Sequence, residues 1–217
     1  TLDDGTDQDL SEFDKFTVWA KDADMTNSEN YEKFCETVDV ESFIDYMAVE
    51  TYINNNDWAS TGMNNWQAWK SRTVHSDIPQ ANGKWRFVLY DTDVSTGMYD
   101  NYKTMANYNS LGNNMPVSTH FNFPAILKSL IKNSDFRQKF HDRYAYIIEN
   151  NFNKEKAGGK LSEYADAYKT VTCDTYIRFG IKDCAYAYDS ELLKVANFFN
   201  DRPQYAKQYL DEFCNQS

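Results

Sequence analysis

Strand-forming character in this chain is confined to one short stretch in the middle, and helical periodicity occupies most of what lies on either side. The runs "NWQAWKS" (65–71) and "KWRFVLYD" (84–91) alternate or cluster aromatic and β-branched residues, and the turn-rich "RTVHSDIPQANG" (72–83) separates them. That pattern predicts a β-hairpin with a long loop. A lone two-stranded hairpin is marginal in water, so it has to be packed onto helices. Trp58, Trp66, Trp69 and Trp85 are the groups available for that packing, or, being clustered, for stacking on sugar rings.

Upstream, Leu10, Phe13, Phe16, Val18 and Trp19 recur near helical spacing and predict a helix from about residue 9. After the capping candidates of "TNSEN", the segment "YEKFCETV" makes a short second helix, and Asp39 opens a third through "VESFIDYMAVETYI", with Phe43, Met47 and Ile53 facing a core. Downstream, helical spacing returns in "FPAILKSLIKN", "SDFRQKFHDRYAYIIENNF", "LSEYADAYKTV", "DSELLKVANFFN" and "RPQYAKQYLDEF". Ser134 or Asp135 and Asn200 or Asp201 are the expected N-caps, with Pro203 in a first turn. "AGGK" (157–160) reads as a linker between two helical patterns, and residues 99–120, rich in Asn, Gly and Ser, as a long irregular loop. The fold class is α+β, predominantly helical: one domain over 1–217, its helical body clasping one central hairpin.

Charge and cysteine spacing exclude several function classes. Lys and Arg total 22 against 33 Asp and Glu, and the net charge of -11 repels a phosphate backbone, so no nucleic acid is expected as a partner. No apolar stretch approaches the roughly 20 residues a membrane-spanning helix needs. Cys35, Cys173, Cys184 and Cys214 show no zinc-ligand spacing; three disulfide connectivities, or four free thiols, remain open. His75, His120 and His141 share no ligand spacing either. "KDADMTNSEN" (21–30) offers oxygen donors but lacks the glycine and closing glutamate of a calcium loop, so it reads as an inter-helix turn.

The chemistry-bearing residues stand at the ends of the apolar segments. Asp91 and Asp93 close the second strand; two apart, they share a face if the strand persists through Thr92, and together they suit a hard cation such as Mg or Mn. Their alternative use is to cap the turn before "STG". Asp57 lies at the exit of the third helix, and Asn64 and Asn65 lead into the first strand, so the three clusters converge on one edge of the hairpin. Phosphoryl transfer uses these groups: a carboxylate to accept the attacking hydroxyl's proton, and a carboxamide with a carboxylate to hold the metal on the phosphates. Arg137 and Arg143, on one helix, either tether that catalytic loop or form surface ion pairs.

In their order, "NNDW" (55–58), "NNWQAW" (64–69), "GKWRF" (83–87) and "DTD" (91–93) resemble the C-terminal part of the spore coat protein H (CotH) kinase family, and "LIKNSDFRQKFHDRY" and "DRPQYAKQYLDEF" resemble its closing helices. The resemblance spans roughly residues 40 to 214. It implies an atypical protein-kinase-like C-lobe that uses ATP and Mg (or Mn) to phosphorylate Ser or Thr hydroxyls of a protein substrate. By the same carry-over, Asp57 is the catalytic aspartate, Asp91 the metal-binding one and Asn65 the second metal ligand, with Asp93 supporting the metal. "ASTGM" lengthens the gap between Asp57 and the asparagines relative to the family's usual spacing. No Gly-rich loop or strand lysine precedes Asp57, so the nucleotide-gripping N-terminal lobe is expected outside this chain or missing, and these residues alone are expected to transfer little phosphate. The family association implies an extracellular or spore-surface location in a bacterium.

Two other functions compete. A non-catalytic scaffold or carbohydrate-associated module would keep the fold without the reaction, which the absent lobe and the tryptophans favour. A nucleotide-sugar transferase also uses a DxD metal site, but lacks support from any parallel βαβ pattern here.

Overall fold

The computed structural model describes residues 2–58, 65–112, 115 and 122–215. Local capping sets the first three helices. Thr6 accepts from the Asp9 backbone N–H while the Asp9 carboxylate takes the Thr6 N–H at 2.8 Å, a reciprocal box that opens α1 (Asp7–Asp22). Asn27 caps α2 (Ser28–Thr37) and Asp39 caps α3 (Val40–Tyr52), as their sequence positions predict. The connecting segment is the expected turn, with the Asp24 carboxylate accepting from the Thr26 N–H and hydroxyl.

The hairpin is β1 (Trp66–Trp69) and β2 (Arg86–Leu89), antiparallel, with Trp66 opposite Leu89 and Trp69 opposite Arg86. It is anchored at the α2–α3 corner. The Trp85 N–H donates to the Thr37 carbonyl, the Asp39 N–H donates to the Trp85 carbonyl, both at 2.9 Å, and Phe87 N–H reaches the Ser42 hydroxyl. Asp39 therefore does two jobs, since its second oxygen takes Arg86 at 2.7 Å. The hairpin's inner face meets an aromatic cluster around Phe123, whose ring lies between 4.8 and 6.3 Å from those of Phe13, Phe43, Tyr46, Trp66 and Phe87. Trp58 is sealed in, and Trp66 and Trp85 are half-buried; of these four tryptophans Trp69 is the exposed one. Packing has taken up most of the aromatic surface that sugar stacking would need.

After two 3-10 turns (Met98–Asp100 and Tyr102–Thr104) come α4 (Phe123–Leu130), α5 (Ser134–Asn150), α6 (Lys154–Arg178) and α7 (Cys184–Asn215). Among the described residues the molecule is thus predominantly helical α+β, with one two-stranded sheet, and no helix is long and apolar enough to cross a membrane.

Three sequence expectations are corrected here. Asn133, not Ser134 or Asp135, caps α5: its amide oxygen accepts from the Asp135 and Phe136 N–H groups while its Nδ2 donates to the Met25 carbonyl at 2.9 Å, so one side chain both caps the helix and ties it to the α1–α2 connection. Gly158 and Gly159 lie inside α6 and not in a linker. Asn153 caps the helix ahead of them, and a glycine in an exposed helix costs only about 1 kcal/mol relative to alanine. Finally, α7 runs unbroken through Pro203 where two helices were expected. Phe198, Arg202, Ala206 and Leu210, four apart on one face, are all buried in the same core and hold the axis across the proline.

Arg202 is 1% exposed and has no carboxylate partner among the described residues. Its guanidinium donates instead to main-chain carbonyls of Thr51, Tyr52, Ala106 and Tyr108 at 2.7 to 2.8 Å, and to the Asn54 side-chain oxygen at 2.7 Å. Burial lowers its pKa, and the ring of carbonyl dipoles keeps the charge solvated inside the protein. Replacing it strands several buried acceptors at once. Arg202→Met is expected to destabilise the fold by about 3–5 kcal/mol in urea unfolding. Arg202→Lys, with fewer and differently directed donors, is expected to recover only part of that loss.

Candidate active site

The first functional position is set by the way α3 ends. Asn54 turns the chain with a left-handed φ of 53°, a conformation asparagine tolerates, and is clamped there by Arg202 on its oxygen and by its own Nδ2 on the Met105 carbonyl. Asn55 is buried; its Nδ2 donates to Glu50 at 2.9 Å and its oxygen accepts the Asp57 N–H at 3.0 Å. Trp58 then packs edge-on against Tyr46. Asp57 is held half-buried between two anchored neighbours, and no lysine or arginine pairs with it among the described residues.

Asn65 enters β1 with a left-handed φ of 61° and donates its Nδ2 to the Asp57 carboxylate at 3.0 Å. Its amide oxygen takes no hydrogen bond among the described residues. The other strand ends at Leu89, so the strand does not persist through Thr92 as the shared-face expectation required. Asp91 adopts φ 50° instead, and the bend leaves its carboxyl under the influence of the Asp93 charge by another route. The following segment is laced to the α3 exit: Asn56 N–H donates to the Val94 carbonyl at 2.9 Å and Thr96 N–H to the Ile53 carbonyl at 3.0 Å.

Asp57, Asn65, Asp91 and Asp93, distant in sequence, therefore share one rim. Their electrostatics show it. The charge of Asp93 first, then desolvation and the charge of Asp57, push the Asp91 carboxyl above its ordinary pKa. Carboxylates crowded without a cation hold protons more tightly, and a divalent ion would relieve that repulsion. The donors are oxygen throughout, from carboxylates and one carboxamide, which is the chemistry a hard cation such as Mg or Mn prefers. Among the described residues no group of three or more His, Cys, Asp or Glu side chains is placed to hold a metal ion, so three of these carboxylates do not form a ligand set by themselves. Such a rim fits an ion that completes its shell with water and substrate oxygens.

Asn64 and the "ASTGM" stretch fall outside the described residues, as does His120. The remaining candidates are not drawn in. Arg143 pairs with Asp45 of α3 and Arg137 donates to the Ile131 carbonyl, so neither tethers the Asp57 loop, while His141 bridges to Asp211 of α7. Residues behind the site were missed in the sequence. Glu50, the one acid on the buried face of α3, is pushed up to about 8 by burial, against the opposing pull of the hydrogen bond from Asn55 and of the nearby Tyr46 hydroxyl. Its sequence signal was an acid in the apolar run "YMAVETYI" four residues before a run of asparagines.

The family described as CotH kinase protein matches residues 1–206. The chain belongs to the CotH kinase family. No curated protein and no solved structure matched it. The CotH match begins at residue 1, well before the roughly residue 40 at which the motif resemblance starts, so α1 and α2 are part of the CotH domain itself and not an appendage. Their packing agrees, since Phe13 of α1 lies 4.6 Å from the Trp85 ring at the base of β2.

Two outcomes follow from this arrangement. Titration of the chain with Mn2+ by calorimetry is expected to show a site that Asp91→Asn weakens about tenfold or more, and that also weakens on acidification as Asp91 takes up its proton. Glu50 tests the buried layer separately. Its proton stabilises the folded chain fully below the ordinary value of 4.5, and that contribution is lost as pH rises through about 8. Glu50→Gln is therefore expected to match the parent chain at low pH and to be the more stable of the two above pH 8, with a flatter denaturation profile between.

Proposed function

We propose that this CotH domain carries the catalytic and metal-binding edge of an atypical protein kinase, transferring the γ-phosphate of ATP to Ser or Thr hydroxyls of a protein. The observation that supports it is the meeting of Asp57, Asn65 and the Asp91–Asp93 pair at one rim, a hydrogen bond joining the first two and mutual repulsion linking the acids. In this reading the hydroxyl oxygen attacks the γ-phosphorus, the bond to the β–γ bridging oxygen breaks, and the hydroxyl proton passes to Asp57. Asn65 holds the Asp57 carboxylate in place through Nδ2 and leaves its amide oxygen for the cation. Asp91, with Asp93 behind it, supplies the carboxylate oxygens. A Mg or Mn ion, when bound, offsets charge on the transferred phosphoryl group. The family's spore-coat association supports placing this activity at a spore or cell surface.

A non-catalytic reading has one observation in its favour: among the described residues before Asp57 the regular elements are the helices α1 to α3. The two readings part in a phosphate-transfer assay with γ-labelled ATP on the protein that carries this domain. The kinase reading expects Asp57→Asn to lower transfer by about 10²–10⁴-fold while Mn2+ binding persists. Transfer that survives both Asp57→Asn and Asp91→Asn would contradict it, and an unsubstituted protein that binds Mn2+ yet transfers nothing would favour the scaffold.

A further inference from the structure

The longest straight helix pair in the molecule is also the least supported. No residue of α6 is buried, and the hairpin it forms with the first half of α7 leaves Tyr164, Tyr168, Val171, Ile177, Phe179 and Tyr186 exposed. The contacts that hold α6 to α7 fix a register. Lys169 Nζ lies 5.9 Å from the centre of the Tyr188 ring and 3.0 Å from the Asp189 carboxylate, and Tyr188 Oη donates to the Ala165 carbonyl at 2.8 Å. Helical neighbours on one stripe are four residues apart. One turn nearer the connecting bend, position 169 becomes Cys173 and position 188 becomes Cys184. That register sets Cys173 and Cys184 against each other as free thiols, each half-buried between the helices, and the neighbouring Cys184 raises the pKa of Cys173. Of the other two cysteines, Cys35 lies in α2 and Cys214 at the opposite end of α7 from Cys184.

We propose that Cys173 and Cys184 form an intrachain disulfide that staples the tip of the α6–α7 hairpin when the protein folds in an oxidising compartment. The two S–H groups give up two protons and two electrons to a disulfide oxidant, glutathione disulfide or the disulfide of a thiol oxidoreductase, which is reduced to two thiols as the S–S bond forms. The bridge has a physical purpose at this place. A helical hairpin without a core has little to oppose fraying, and a cross-link removes freedom from its open state. The Gly180 bend, with φ 84° and nothing within 4 Å of where a Cβ would be, lets the tip adjust to the shorter sulfur separation. The proposal does not depend on phosphotransfer.

Peptide mapping tests it on the whole chain. The protein is equilibrated with glutathione disulfide, alkylated without reduction, and cleaved after lysine and arginine. The expected result is one linked species joining "TVTCDTYIR" (170–178) to "DCAYAYDSELLK" (183–194) that separates on reduction, with Cys35 and Cys214 recovered alkylated. In Cys184→Ser, Cys173 should be recovered alkylated and the loss of about 2 Da on oxidation should vanish. Recovery of Cys173 and Cys184 as separate alkylated peptides, or linkage of either to Cys35 or Cys214, would overturn the proposal.

Discussion

The buried guanidinium of Arg202 is the contact on which the rest of the molecule turns. A charge taken out of water needs either a counter-ion or enough oriented dipoles, and here the dipoles are carbonyls at the end of α3 and in the 106–108 segment, together with the Asn54 side chain. Because those acceptors belong to two separate pieces of chain and the guanidinium to a third, satisfying one cation forces all three into a single arrangement. The same demand holds the stretch of α7 around Pro203 against the core. It also locks the left-handed Asn54, from which the chain reaches Asp57.

A second tie turns that anchor into a site. Main-chain hydrogen bonds between 53–56 and 94–96 carry the fixed α3 exit across to the segment after Asp93, and the hairpin, moored at Asp39 and Ser42, brings Asn65 and Asp91 in from the other side. Acidic groups are thereby held closer together than their charges favour. Repulsion maintained by the surrounding structure is the feature on which the proposed ion-binding role rests, since a site held ready needs no rearrangement to take up an ion.

What could be read in the sequence divides along physical lines. The first three helices and the hairpin declare themselves through periodicity and caps because both signals are local; Thr6, Asn27 and Asp39 act within three residues of themselves. The acids of the proposed site stand out in the sequence for a related reason, since they lie where regular elements stop. Gly158-Gly159 and Pro203 misled, since their local penalties are small or are overridden by a cap upstream and a buried stripe alongside. Arg202 gave no sign at all. Its partners are carbonyl oxygens, which every residue has and no sequence marks. Glu50 and Asn55 were hidden similarly, by a burial that only the packed core creates. Membership of the CotH family, spanning α1 through most of α7, then shows that the helical wrapping belongs to the domain.

The central claim is spatial: one divalent ion can touch oxygens of Asn65 and Asp91 beside Asp57. Anomalous diffraction at the manganese edge, from crystals of the chain grown with Mn2+, locates such an ion directly. The account predicts a peak within coordination distance of the Asn65 amide oxygen and the Asp91 carboxylate, with Asp57 on the same side. A manganese peak elsewhere on the surface, with these side chains unchanged and facing water, would contradict it.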